Sequence, residues 1–188
     1  MKPKIAALVL AAGSSSRMRK PKQLLRVGSR SLLRRSAEAA TASDVTATVI
    51  VIGAEAQAMR KELEGLPLKI LENARWTEGV GTSISAGINW LADQSEPVEG
   101  VVIMVCDQPH VSAATINRLI ATHSVTGKSI VASGYSGTLG VPALFAREHF
   151  DHLKSLPPER GAKRLILSHR ETVAVVKFED GAVDLDRP

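Results

Sequence analysis

The stretch Ile5–Leu25, IAALVLAAGSSSRMRKPKQLL, constrains the fold of this chain more than any other segment. Ile5–Leu10 is an unbroken apolar run, partly β-branched and stopped by a turn signal, which predicts a parallel strand buried on both faces. Ala11-Ala12-Gly13-Ser14-Ser15-Ser16 has almost no side-chain bulk, so its backbone N–H groups can lie directly against a ligand. Arg17, Arg19, Lys20 and Lys22 follow at once. A strand, a small-residue turn and a cationic edge describe a phosphate cradle at the carboxyl end of a strand. Neither standard phosphate motif is present. A Walker A loop needs a second glycine followed by Lys-Ser/Thr, and a dinucleotide fingerprint needs G-x-G-x-x-G.

The placement of charge points the same way. Residues 1–37 contain ten cations (Lys2, Lys4, Arg17, Arg19, Lys20, Lys22, Arg26, Arg30, Arg34, Arg35) and no Asp or Glu, so the net charge of +5 arises at one end. That asymmetry favours an anionic ligand over general solubility. Six aromatics among 188 residues are too few for a base-stacking platform, and no helix-turn-helix, zinc-finger or RNP pattern occurs. A small phosphorylated ligand is expected, with no nucleic acid. No apolar run approaches the ~20 residues of a transmembrane helix, so no membrane partner is expected either. Met1–Ser16 has the outline of a signal peptide, but its apolar core spans only Ile5–Ala12 and the next six charges are all positive. With Cys106 the single cysteine, a cytoplasmic protein is the reading.

Strand and helix patterns alternate along the chain. Helices are predicted over Ser31–Ala42, Glu55–Leu63, Ser83–Ala92, Ser112 to about His123, Arg147–Leu156 and Gly161–His169. Strands are predicted over Ala47–Ile52, Leu68–Leu71, Val101–Cys106, Ile130–Ala132, Ala143–Phe145 and Thr172–Phe178. Continuous rather than alternating apolar strands argue an α/β sheet covered on both faces, in one domain. In such sheets ligands bind beyond the carboxyl ends of strands, so the loops after Leu10, Leu71 and Cys106 matter most.

Asp107 follows the apolar run Val101–Cys106, with Gln108-Pro109 after it. A carboxylate there suits a hard divalent cation bridging phosphates, or equally a simple turn aspartate. Gly79 and Gly81 allow close backbone approach ahead of Ser83, a residue that also suits a plain helix N-cap. The five histidines show no metal spacing. His149 and His152 read as surface positions, and Cys106 reads as inert packing.

Leu10-Ala11-Ala12-Gly13-Ser14-Ser15-Ser16-Arg17-Met18, closed by Lys22-Gln23-Leu24-Leu25, resembles the signature of the MobA-like molybdenum-cofactor nucleotidyltransferases, and among them the molybdopterin cytidylyltransferases. Arg19 stands where that family usually has glycine. Asn73–Gly87 resembles the family's N-x-x-W-x-x-G-x-x-x-S-x-x-x-G segment. Gly140-Val141-Pro142-Ala143-Leu144-Phe145 resembles G-x-P-x-x-F, with Val141 where cytidylyltransferases commonly have histidine. Gly161-Ala162-Lys163-Arg164 and the closing Val183–Pro188 have counterparts too, although Pro158-Glu159-Arg160 replaces the usual residues before Gly161.

The resemblance implies a three-layer α/β/α Rossmann-like nucleotidyltransferase fold with a mostly parallel sheet. It implies nucleotide binding in the N-terminal half and acceptor binding in the C-terminal half. Leu10, Ala11, Ala12, Gly13, Ser14, Ser15, Arg17, Lys22, Gly79, Gly81 and Ser83 would bind the nucleotide, and Gly140, Pro142 and Gly161 the acceptor. Arg17, Lys22 and Asp107 would be catalytic, and Mg²⁺ would sit on Asp107 and Asp186, with Asp184 in support. The implied reaction moves a nucleoside monophosphate, CMP from CTP in this reading, to molybdopterin or a similar phosphorylated acceptor and releases pyrophosphate. Contact with a molybdoenzyme or its chaperone is implied as well. Ala11-Ala12-Gly13 resembles the cytidylyl branch, whereas guanylyl relatives carry Ala-Gly-Gly. A sugar-phosphate or methylerythritol-phosphate nucleotidyltransferase, or a non-catalytic nucleotide- or cofactor-binding protein, are the alternatives.

Overall fold

A computed structural model describes residues 2–13 and 21–182. Seven strands form the central sheet: β1 (Ile5–Ala11), β4 (Ala47–Ile52), β5 (Lys69–Glu72), β6 (Gly100–Val105), β7 (Ile130–Tyr135), β8 (Thr138–Ala146) and β9 (Ala174–Lys177). Their spatial order is β5-β4-β1-β6-β8-β7-β9. A small antiparallel pair, β2 (Arg26–Val27) and β3 (Arg30–Ser31), stands apart. All the main neighbours pair in parallel except β8, which runs antiparallel to both β6 and β7. The sheet is thus mostly parallel, as the apolar runs predict.

β1 shows why those runs are continuous. Ile5, Ala7, Val9 and Ala11 pack on one face with Leu33, Ala37, Met59, Ile116 and Leu119. These partners come from α1 (Leu32–Thr41), α2 (Ala56–Glu62) and α4 (Ala113–Thr126). Ala6, Leu8, Leu10 and Ala12 pack on the other face with Ile84, Ile88, Leu91, Phe150, Leu153 and Ile166. Those belong to α3 (Val80–Ala92), α5 (Phe150–Lys154) and α6 (Lys163–Ser168). Successive side chains on a strand point to opposite faces, so a strand between two helical layers must be apolar at every position.

Several boundaries differ from those the sequence predicts. α3 begins at Val80 rather than Ser83, because Gly79, at φ 133°, serves as N-cap. Ser31 and Ser112 do cap α1 and α4, each accepting from the backbone N–H three residues on. The short strands expected at Ile130–Ala132 and Ala143–Phe145 are the halves of a longer hairpin that turns at Ser136-Gly137, with φ 47° and 72°. Arg147–Leu156 splits into a 3-10 turn and the five residues of α5. His149 is buried rather than at the surface, with its Nε2 2.9 Å from Ser129 Oγ. Among the described residues no helix is long and apolar enough to cross a membrane.

Candidate active site

A cleft of about 310 Å³ opens at the carboxyl ends of β1 and β6. Leu10, Ala11, Ala12, Gly13, Lys22, Gly79, Ser83 and Asp107 line it, so eight of the residues singled out in the sequence face one cavity. Ser14, Ser15, Arg17 and Asp186 lie outside the described residues.

Lys22 and Asp107 meet at the cleft wall as an ion pair, although 85 positions separate them in the chain. Both side chains are mostly buried, 21% and 15% exposed, so water screens the pair less than one at the surface. Asp107 sits two residues past the end of β6. Its neighbour Gln108 is buried and donates from Nε2 to Val141 O at 3.1 Å and Gly181 O at 3.0 Å. Arg35, from α1, donates to Pro109 O at 3.3 Å. The loop that carries the carboxylate is therefore tied to α1, to β8 and to the 3-10 turn Glu179–Ala182.

The opposite wall is organised by Asn73. Its Nδ2 donates to Thr82 Oγ1 at 2.8 Å and to Ser83 Oγ at 3.0 Å, and its Oδ1 accepts from Arg75 N at 2.9 Å. Because Ser83 Oγ accepts from that amide, its own O–H is left to donate. The fold itself requires glycine at positions 79 and 81. A Cβ at either would run into a backbone carbonyl, Pro158 O or Pro157 O, and Gly81 N–H donates to Pro158 O at 2.8 Å. Gly81 does not line the cleft.

Gly140, Pro142 and Gly161 do not line it either. They stand behind its walls. The register Ile103↔Ala143 sets the start of β8 beside the carboxyl end of β6, where Gln108 bonds Val141, the residue between Gly140 and Pro142. Gly161 lies against Val80 at the start of α3, 3.6 Å from an added Cβ.

Trp76 and Gln23 also line the cleft, and neither was among the candidate site residues. Trp76 carried a signal: in a chain with six aromatics, an indole in a polar loop between Arg75 and Thr77 has little core to join. Gln23 gave none, since a glutamine beside a lysine is ordinary surface chemistry until the fold buries it.

Among the described residues no group of three or more His, Cys, Asp or Glu could hold a metal. Asp107 alone still fits a Mg²⁺-like ion, which keeps several waters and takes one or two carboxylates plus substrate phosphates. The ammonium of Lys22 already rests on that carboxylate, so the position accepts positive charge.

Residues 7–173 match the MobA-like NTP transferase domain, and the chain belongs to that family of nucleotidyltransferases. It is 33% identical over 149 residues to nicotine blue oxidoreductase of Paenarthrobacter nicotinovorans, a match covering 78% of this chain and 69% of that protein. Purine catabolism protein PucB of Bacillus subtilis is 28% identical over 198 residues, covering 99% and 93%. Among solved structures, Rv0371c of Mycobacterium tuberculosis superposes with a TM-score of 0.79 at 28% identity, covering 99% of this chain and 94% of that one. Its manganese complex superposes with a TM-score of 0.76, also at 28% identity, covering 97% and 92%. A divalent metal is common in this family, and one of its solved relatives holds manganese.

Proposed function

We propose that the chain transfers CMP from CTP to a phosphorylated small-molecule acceptor such as molybdopterin, releasing pyrophosphate. The observation that carries this reading is the Lys22–Asp107 ion pair beside the small-residue turn that ends β1. It joins a cation suited to phosphate with a carboxylate suited to a bridging metal, next to backbone that a triphosphate can approach closely.

An acceptor phosphate is already an anion near neutral pH, so the reaction needs no general base. The acceptor oxygen forms a bond to the α-phosphorus, the bond from that phosphorus to the α,β-bridging oxygen breaks, and pyrophosphate leaves with the electron pair. The barrier lies in bringing two polyanions together, so positioning and charge stabilisation dominate. Backbone N–H groups of Ala12–Ser15 receive the outer phosphates. Lys22 moves from Asp107 to the α-phosphate, and Arg17 holds the leaving phosphates with its planar fork. Asp107 and Asp186 would hold Mg²⁺, which would supply Lewis-acid polarisation of the α-phosphoryl group.

Trp76, Gly79 and Ser83 form the base side of the cleft, and Ala12, on the same face of the sheet as Trp76, narrows it toward a pyrimidine where guanylyl relatives carry glycine. Gly140–Pro142 and Gly161, behind Asp107 and Val80, suit the acceptor half. The names of the relatives do not agree on one acceptor, so the decisive test is chemical. Each of CTP, GTP, ATP and UTP is offered with Mg²⁺ and molybdopterin, and pyrophosphate and the dinucleotide product are measured. Product with CTP supports the reading. Pyrophosphate with CTP and a different phosphorylated acceptor moves only the acceptor. Binding of a nucleotide without turnover for any acceptor tried turns the reading toward a non-catalytic binding protein.

A further inference from the structure

At the carboxyl end of β1 and in the turn that follows, four successive carbonyls, those of Leu10, Ala11, Ala12 and Gly13, all accept from donors within the protein. Leu10 O accepts from Cys106 N at 3.3 Å and Ala12 O from Ala54 N at 3.4 Å. Ala11 O and Gly13 O both accept from one group, the side-chain amide Nε2 of Gln23, the former at 3.2 Å. Gln23 is 2% exposed and lines the same cleft.

An anion is repelled by carbonyl oxygens and attracted by N–H groups, so a phosphate turn works only when its carbonyls are directed elsewhere. Neighbouring strands and loops fix two of the four through ordinary backbone bonds. The other two share one side-chain amide, whose two hydrogens serve one carbonyl each. Lys22, the preceding residue, stands on Asp107, so Gln23 also sets the distance between the turn and the cation that meets the phosphates. We propose that Gln23 is the positioning residue of the phosphate turn: it holds the Ala11 and Gly13 carbonyls away from the ligand and so presents the N–H side of the turn to a triphosphate. The inference rests on the reading that this turn receives the phosphates of a nucleotide.

The test compares Gln23→Met, which keeps length and loses both donors, with Gln23→Asn, whose amide is one methylene too short to span the two carbonyls. Binding of CTP, pyrophosphate and cytidine is measured by calorimetry in Mg²⁺, with a melting curve for each protein. Both variants should bind CTP and pyrophosphate about tenfold more weakly, about 1.4 kcal/mol, and cytidine as the wild type does. A purely structural role for Gln23 would weaken all three ligands together, and that outcome overturns the inference. So does unchanged pyrophosphate binding in a folded Gln23→Met protein. If Gln23→Met does not fold, the same three titrations on Gln23→Asn decide the question. Wild-type protein that binds neither CTP nor pyrophosphate overturns the underlying phosphate reading and the inference with it.

Discussion

The two walls of the cleft are built on different principles. The wall formed by the carboxyl end of β1, Lys22 and Asp107 carries its charge on one mostly buried ion pair. The wall formed by Asn73, Gly79 and Ser83 is locked into the fold through a buried amide and a backbone-to-backbone contact with Pro157–Arg160. The loop that carries Asp107 is held by Gln108 and Arg35, so the first wall can lose either charge of the pair and keep its backbone. The second cannot lose its contacts and do the same. Function and stability should therefore separate across the cleft, and substitutions on the two sides can break or sharpen that division.

The largest effect is expected at the charged wall. Lys22→Met and Asp107→Asn should each lower turnover by two to three orders of magnitude, about 2.7–4 kcal/mol, with melting temperatures near that of the wild type. The ion pair adds a reciprocal expectation. Lys22→Met should bind Mn²⁺ alone more tightly than the wild type, because the ammonium no longer competes for the Asp107 carboxylate. Asp107→Asn should bind CTP more tightly in EDTA, because Lys22 is released to the phosphates. Titrations in which each variant weakens both ligands would break the separation of roles at this wall.

A smaller effect should appear at the second wall when the base is changed. With Trp76, Gly79 and Ser83 closing on a pyrimidine, CTP should raise the melting temperature more than GTP at equal Mg²⁺. A hundredfold preference corresponds to at most about 2.7 kcal/mol at saturation. A larger shift with GTP would show that the methyl group of Ala12 does not select the base.

Stability is where the second wall should show itself directly. Gly81→Ala drives a methyl group against the Pro157 carbonyl, where backbone must move on both sides. A loss of about 1–3 kcal/mol is expected, the usual range for overpacking. Urea melts of Gly81→Ala and Lys22→Met, side by side, measure the contrast. Equal midpoints would erase it.

The same contrast explains what the sequence disclosed. The charged wall was legible because a buried parallel strand must be apolar throughout, and the first residues beyond it must face the sheet's rim. That rule places Gly13 and Asp107 at the rim, while the part given to Lys22 came from the resemblance of the segment it closes. The second wall was half legible. Its glycines stood out, but the chain they approach lies some eighty residues away at Pro157–Arg160, and no local pattern announces a partner that distant. The antiparallel β8 was hidden for a similar reason. Its hairpin turns through Ser136 at positive φ, a position that a non-glycine residue rarely signals. Gln23 was invisible because its importance comes from burial against two carbonyls, a property of the fold rather than of the residue type.

The smallest effect lies away from both walls. His149 is 5% exposed, and burial lowers its pKa, opposed by Glu148 and assisted by the neighbouring His169 and His152. His169 packs edge-on at 5.2 Å between ring centroids, and Glu148 Oε1 stands 3.7 Å from Nε2. An unfolded histidine titrates near 6.5, so on acidification the unfolded chain takes up this proton before the folded protein does. The stability that neutral His149 contributes is complete above about pH 6.5 and is lost as the pH falls from there toward its depressed folded value. His149→Gln removes the titration while keeping a polar group beside Ser129 Oγ. Melting temperatures between about pH 7.5 and about pH 5.5 should fall more steeply for the wild type than for His149→Gln, by a few degrees, at about 2–4 °C per kcal/mol. Lys22→Met should keep the wild-type slope, because the charged wall takes no part in this transition. Identical slopes for the wild type and His149→Gln would mean that acid acts elsewhere in the molecule. A flattened slope in Lys22→Met would tie the charged wall to the fold after all.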